Sequence, residues 1–242
     1  LWLYGGDQVA LSSVSTKSEL KSLSYAPYVG FERTPLSEEQ VKYDIALMYS
    51  IASKIRTYSA QDAAKILPLL QEGQRIDLGL WISNNKILNQ KEIALGLELL
   101  RTYNKHITSV IVGNEVLLRK DLTAKELIHL LIQVDNGTRK PVTTAEVHHI
   151  WMENPRLVKS VNFITVHILP YWEYIPVQDA AVFAKEQYDS LQKMYDGKKI
   201  VIGEFGWPSR GYNNKKSIAS LENEVTALGD FLQMAHKESW EY

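Results

Sequence analysis

An α/β barrel is the fold class this sequence predicts, on three observations. Seven short apolar runs alternate with amphipathic helical stretches, and that alternation means parallel strands covered by helices. None of the runs leads into a glycine-rich phosphate-binding fingerprint, which favours a barrel over a doubly wound open sheet. The 242 residues, 45% of them hydrophobic, suffice for one large core. The expectation is a (β/α)8 TIM barrel over residues 23–242, preceded by an N-terminal leader or linker at 1–22.

The strand-like runs, in order, are 23–31, 53–59, 75–83, 108–116, 141–147, 161–172 and 199–208. Each is rich in Val, Ile, Leu or aromatic residues. Helical periodicity falls near 38–51, 61–72, 89–103, 123–134, 177–195 and 218–238, with a shorter stretch near 153–159. Ser37 stands before "EEQ" as an N-cap, and Thr123 with Glu126 three residues on makes a capping box. Leu127, Leu130, Leu131 and Val134 form one apolar stripe. The first residues, "LWLYGGDQVALSSVSTKSEL", have no clear period and read as weakly held to the fold. Seven strands are counted, and the chain stops at "SWEY", where an eighth would begin. The barrel is therefore expected to have its eighth strand missing or truncated in this chain.

Composition removes several function classes. The 27 basic and 28 acidic residues nearly cancel, so no nucleic-acid partner is indicated. With no cysteine there is no disulfide, thiolate metal site or cysteine nucleophile. That composition suits an oxidising compartment. No apolar run reaches about 18 residues, the length of a membrane span. A Gly-x-Ser-x-Gly elbow is absent too, so serine chemistry has no anchor.

Two strand ends stand out. Glu115 closes the fourth run in "VIVGNEV", and Glu204 the seventh in "IVIGEFGWPS"; both follow a Val/Ile run and a glycine. Barrel enzymes build their sites from residues at the C-terminal ends of strands. The fourth and seventh strands lie roughly across the barrel mouth, so two carboxylates there flank one bound molecule. Hydrolysis or transfer of a glycosidic bond needs that pair: one acid protonates the leaving oxygen, and the other stabilises or attacks the anomeric carbon. Asn114 stands where it can hydrogen-bond a hydroxyl beside the reacting carbon. Tyr171, Trp172 and Trp207 follow the sixth and seventh strands and offer apolar faces for sugar rings, Trp172 foremost. For Glu146, three roles stay open: binding sugar hydroxyls, tuning Glu115, or a loop salt bridge. For His167, sugar contact and core packing both fit. His148 and His149 are adjacent, so their side chains point apart, and no third ligand stands at metal spacing. Neither a metal nor another cofactor is expected.

These motifs resemble a known family. "VIVGNEV" and "IVIGEFGWPS" are similar to the two catalytic motifs of glycoside hydrolase family 17, the β-1,3-glucanase type of barrel in the Asn-Glu clan. "IRTYS" (55–59) resembles that family's second strand and "VHILPYWE" (166–173) its sixth, so the likeness runs from about Leu23 to Ser209. "IVGNEVLLRKDLT", "TAEVHHIW" and "HILPYWE" look closest to the bacterial branch, which includes β-glucan transglycosylase domains of membrane-anchored glucan-making proteins. The resemblance implies Glu115 as acid/base, Glu204 as nucleophile, a covalent glycosyl-enzyme and retention of configuration. It makes Asn114 the partner of the 2-hydroxyl and sets Arg56 and Tyr58 in the central sugar subsite. Two features depart from the plant pattern: "HILPY" stands in place of "NxYPY", and Glu146 is an added carboxylate. The expected function is hydrolysis or transfer of β-1,3-linked glucan in an extracytoplasmic, periplasmic or secreted setting. A non-catalytic carbohydrate-binding or scaffold barrel of a larger glucan-assembly protein is the alternative.

Overall fold

The computed structural model describes residues 20–30 and 34–242. The sheet is built from seven strands, β1 (Leu23–Ser24), β4 (Lys54–Arg56), β5 (Arg75–Leu80), β6 (Ile107–Asn114), β7 (Val142–Val147), β8 (Ile164–His167) and β9 (Ile200–Glu204). Each pairs with the next in that order, and every pairing is parallel. Two further strands, β2 (Tyr28–Val29) and β3 (Thr34–Pro35), make an antiparallel pair outside the barrel. The run expected as one strand over 23–31 is thus split. Pro27 falls between the two pieces; it lacks the N–H that a ladder needs.

The helices are α1 (Glu38–Ile51), α2 (Ala60–Ile66), α3 (Lys86–Thr102), α4 (Ala124–Asn136), α5 (His148–Glu153), α6 (Pro155–Val158), α7 (Ala180–Met194) and α8 (Leu221–Lys237). Their starts follow side-chain chemistry. The Ser37 hydroxyl accepts from Gln40 N, and Thr123 with Glu126 completes the reciprocal capping box. Val41, Ile45 and Met48 of α1, and Leu127, Leu131 and Val134 of α4, are buried on one face of each helix. Strand β6 is buried nearly throughout, as a strand covered on both faces must be. Among the described residues no helix is long and apolar enough to cross a membrane.

The barrel closes at a thin seam. Beside β9, Glu241 forms a single parallel bridge to Val201, and Ile202 N donates to Glu241 O at 2.8 Å. On the other side Lys21 Nζ donates to Trp240 O at 2.5 Å and lies 3.7 Å from the Glu241 carboxylate. The eighth position therefore holds one bridged residue instead of a full strand. Trp240, 2% exposed, stacks on Tyr188 at 4.9 Å and anchors this segment in the core. Most of the expected leader lies outside the described residues. Within it, Leu20 already bridges Ala52 and belongs to the barrel edge.

Candidate active site

The site lies at the C-terminal end of the barrel and is organised by two glycines. Gly113 has φ +86°, and a Cβ there would meet Val116 Cγ2 at 2.4 Å. Its left-handed backbone bends β6 at its penultimate residue, directly before Asn114 and Glu115. A register shift between Ile111 and Asn114 accompanies that bend. Gly203 precedes Glu204 on β9. A Cβ there would lie 2.4 Å from Thr165 Cγ2 and 3.3 Å from Arg56 Nη1. The space a side chain would need is filled by the Thr165 methyl, with the His167 ring and the guanidinium at its edge.

Arg56, from β4, is 4% exposed and reaches across the mouth. Its Nη2 donates to Asn114 Oδ1 at 2.7 Å, and its Nη1 to Gly203 O at 2.8 Å and Glu204 Oε1 at 3.1 Å. His167, the last residue of β8 and 1% exposed, stands between the acids. Its Nδ1 is 2.8 Å from Glu115 Oε1, and its Nε2 is 3.6 Å from Glu204 Oε1. One carboxylate oxygen of Glu115, one of Glu204 and a ring nitrogen of His167 all lie within 4.8 Å of one another. The Glu115 and Glu204 side chains keep 21% and 14% of their surface exposed, so both face the cleft.

That spacing would suit a divalent cation. Arg56 Nη1, however, lies 3.1 Å from Glu204 and 3.2 Å from His167 Nε2. A fixed positive charge already occupies the inner side of the cluster, and it opposes a second cation. Elsewhere, His148 Nε2 meets Ser190 Oγ at 2.6 Å.

The charges around Glu204 set its protonation. Burial pushes its carboxyl up, but the His167 and Arg56 charges and the Tyr58 hydrogen bond outweigh burial and hold it below the usual range. The Tyr58 hydroxyl is itself pushed up, by burial first and by the Glu204 charge next.

Several sequence expectations change here. Glu146 does not face the cleft: it is fully buried, and its carboxylate accepts from Leu117 N at 2.7 Å and Leu118 N at 3.4 Å. With no exposed surface, this carboxylate presents nothing to a sugar in the cleft. Burial, helped by the Glu115 charge and opposed by the two N–H groups and Arg119, pushes it up to about 7. Tyr171 and Trp207 are not stacking faces either, being 3% and 5% exposed. They pack edge to face at 5.4 Å, the Tyr171 hydroxyl donates to Tyr212 O, and Trp207 Nε1 donates to Ile218 O. Arg56, Tyr58 and His167 lie in the layer beneath the carboxylates, with their polar atoms turned to the acids and Asn114 instead of to open cleft. Trp172 does present a free face, at 54% exposure. Tyr212 stands 6.3 Å from it. Arg119 went unnoticed in the sequence; it follows Glu115 by four residues and binds the Asn114 and Ile82 carbonyls.

Comparison with known proteins gives the chain's family. Residues 22–241 match the BtgE/BtgC glycoside hydrolase domain. The chain belongs to that family. Among its relatives is the "probable beta-glucosidase btgE" of Aspergillus terreus, 25% identical over 92% of this chain and 43% of the relative. Another is the "probable glucan endo-1,3-beta-glucosidase btgC" of the same fungus, 26% identical over 76% and 31%. The chain thus spans less than half the length of these curated relatives. The glycoside hydrolase family 17 β-1,3-glucanosyltransferase of Rhizomucor miehei superposes with a TM-score of 0.84 at 28% identity, covering 92% of this chain and 85% of that one. An active-site mutant of the Rhizomucor miehei β-1,3-glucanosyltransferase in complex with laminaritriose gives a TM-score of 0.83 at 27% identity, with the same coverage. An endo-laminarinase from Formosa shares the fold, with a TM-score of 0.78 at 18% identity.

The position of Glu146 in this BtgE/BtgC-type barrel yields a pH prediction. Between its ordinary 4.5 and about 7, the folded chain holds a proton that the unfolded chain has lost. Stability therefore falls as pH rises through that window and stays lower above it. Denaturant unfolding at pH 5 and pH 8 should show wild type losing ground to Glu146→Gln by on the order of 3 kcal/mol. A stability difference that is constant with pH would contradict the buried carboxyl.

Proposed function

We propose that this domain is a retaining glycosidase or glucanosyltransferase acting on β-1,3-linked glucan through a covalent glycosyl-enzyme. The observation that carries the reading is the separation of Glu115 and Glu204, whose nearest oxygens lie within 4.8 Å. Retaining pairs stand about 5–5.5 Å apart, whereas inverting pairs need about 6.5–9.5 Å to admit a water.

The surroundings divide the roles. Glu204 is held ionised by His167, Arg56 and Tyr58, the state a nucleophile requires. Its carboxylate oxygen bonds to the anomeric carbon as the glycosidic C–O bond breaks. Glu115 supplies the proton to the departing oxygen. In the second step the Glu115 carboxylate takes a proton from water or from a sugar hydroxyl, and that oxygen displaces Glu204. Water gives hydrolysis and a sugar hydroxyl gives transfer; both share the intermediate. The hydrogen bond between His167 Nδ1 and Glu115 Oε1 orients the acid whichever partner carries the proton. Asn114, locked by Arg56, presents its amide beside the reacting carbon, where the 2-hydroxyl would lie.

Substrate class follows from the family and the exposed Trp172 face. Two relatives are named for 1,3-β-glucan chemistry, and one structure holds laminaritriose. Such polymers are met outside the cytoplasm. An extracytoplasmic protein, periplasmic or secreted and with a membrane-anchored parent, completes the reading.

Proton NMR of a laminari-oligosaccharide digest tests it. The first new reducing end, or the new linkage in a longer product, should be β; an α-anomer formed first would overturn the retaining assignment. Trp172→Ala should weaken oligosaccharide binding by about 1–3 kcal/mol while sparing chemistry on a short activated glycoside. Unchanged affinity in a binding titration would remove Trp172 from the substrate surface.

A further inference from the structure

We propose that Arg119 and Glu146 act together as positioning residues that set the Glu115 carboxyl at its working distance from Glu204. The inference rests on the reading of Glu115 as the acid and goes beyond it, because neither residue is needed to bind sugar or to move a proton.

Glu115 is a non-glycine residue at φ +55°, in the left-handed region that side chains rarely adopt. Such a backbone persists only where its surroundings over-determine it. The surroundings here come from two side chains. The Arg119 guanidinium donates through Nη1 to Asn114 O, through Nη2 to Ile82 O at 2.7 Å, and through Nε to Asp121 Oδ2 at 2.8 Å. Its plane is further fixed by the Trp81 ring, whose centroid is 4.6 Å from Arg119 Cζ. On the far side of Glu115, the buried Glu146 carboxylate caps Leu117 N and Leu118 N. Glu115 N donates to Ala145 O at 2.7 Å, and Arg119 N returns to Glu115 O at 2.8 Å. The peptides before and after Glu115 are thus held from three consecutive barrel strands.

Asn114 joins this clamp to the nucleophile. Its side chain is gripped by Arg56, which also grips Glu204, and its main-chain carbonyl is gripped by Arg119. Loosening Arg119 frees the acid's backbone while leaving Arg56, Glu204 and the exposed Trp172 in place. The resulting defect is in proton delivery and not in sugar binding.

Leaving-group dependence reads that defect. Breaking the bond to a sugar needs protonation of the departing oxygen; expelling dinitrophenolate does not. Arg119→Lys keeps the charge but cannot fork between two carbonyls. Its kcat/KM on laminari-oligosaccharides should fall about 10- to 100-fold. On a dinitrophenyl β-laminaribioside it should fall by less than about threefold, with laminaritriose affinity within about twofold of wild type. Glu146→Gln should show the same dependence with a smaller loss, and it keeps the test open if the lysine variant does not fold. Glu115→Ala, assayed in parallel, separates the two levels. If it shows the dependence and neither clamp variant does, the acid reading stands and the positioning proposal falls. If it loses equally on both substrates, the acid reading falls and takes the proposal with it.

Discussion

A guanidinium with 4% exposure would be too costly to bury alone, and the mouth of this barrel is arranged around satisfying it. Arg56 enters from β4 and is bound by Asn114 at the end of β6 and by the Gly203 carbonyl and Glu204 carboxylate of β9. His167 of β8 lies beside it at 3.2 Å. One cation therefore ties four strands together at the level where chemistry would occur. The same contacts favour the ionised form of Glu204 against its burial. The interaction that joins the strand ends is thus also one that keeps the Glu204 carboxyl ionised, as the proposed nucleophile requires.

The remaining architecture keeps that arrangement in register. Parallel pairing brings Asn114 opposite Ala145 and His167 opposite Glu204. Shifts in register between Ile111 and Asn114, and between Val166 and His167, re-aim the final side chains of β6 and β8. Behind β9, Phe205 stacks on Phe231 of α8 at 4.0 Å, and the bridge from Val201 to Glu241 covers its outer edge. The strand that carries Glu204 is thus braced by aromatic packing and by a short segment in the eighth position.

Much of this was legible in the sequence. Buried parallel strands need continuous apolar runs, so β5, β6, β7 and β9 could be read within a few residues. The caps at Ser37 and Thr123 work through local hydrogen bonds and were equally visible. The two glutamates were found because an acid after a buried strand and a glycine is chemically out of place. What escaped depends on contacts between distant segments. Glu146 keeps three open roles in the sequence because nothing near it there reveals that Leu117 and Leu118, from the preceding strand's loop, would occupy its carboxylate. Tyr171 and Trp172 are neighbours, and both stand as sugar platforms in the sequence, Trp172 the stronger. Only the turn after β8 decides that one is buried and the other open. Arg119 had no signal at all, since its partners are main-chain carbonyls.

The central claim is that Glu204 attacks the sugar, and covalent trapping tests it most directly. A 2-deoxy-2-fluoro β-laminaribiosyl fluoride slows both steps through the electronegative fluorine, while its good leaving group lets the first proceed. The glycosyl-enzyme then accumulates. Mass spectrometry of the digested protein should find one adduct per chain, on the peptide carrying Glu204 and on that residue. An adduct on Glu115 or another carboxylate, or no adduct from a preparation that turns over laminari-oligosaccharides, would contradict the account.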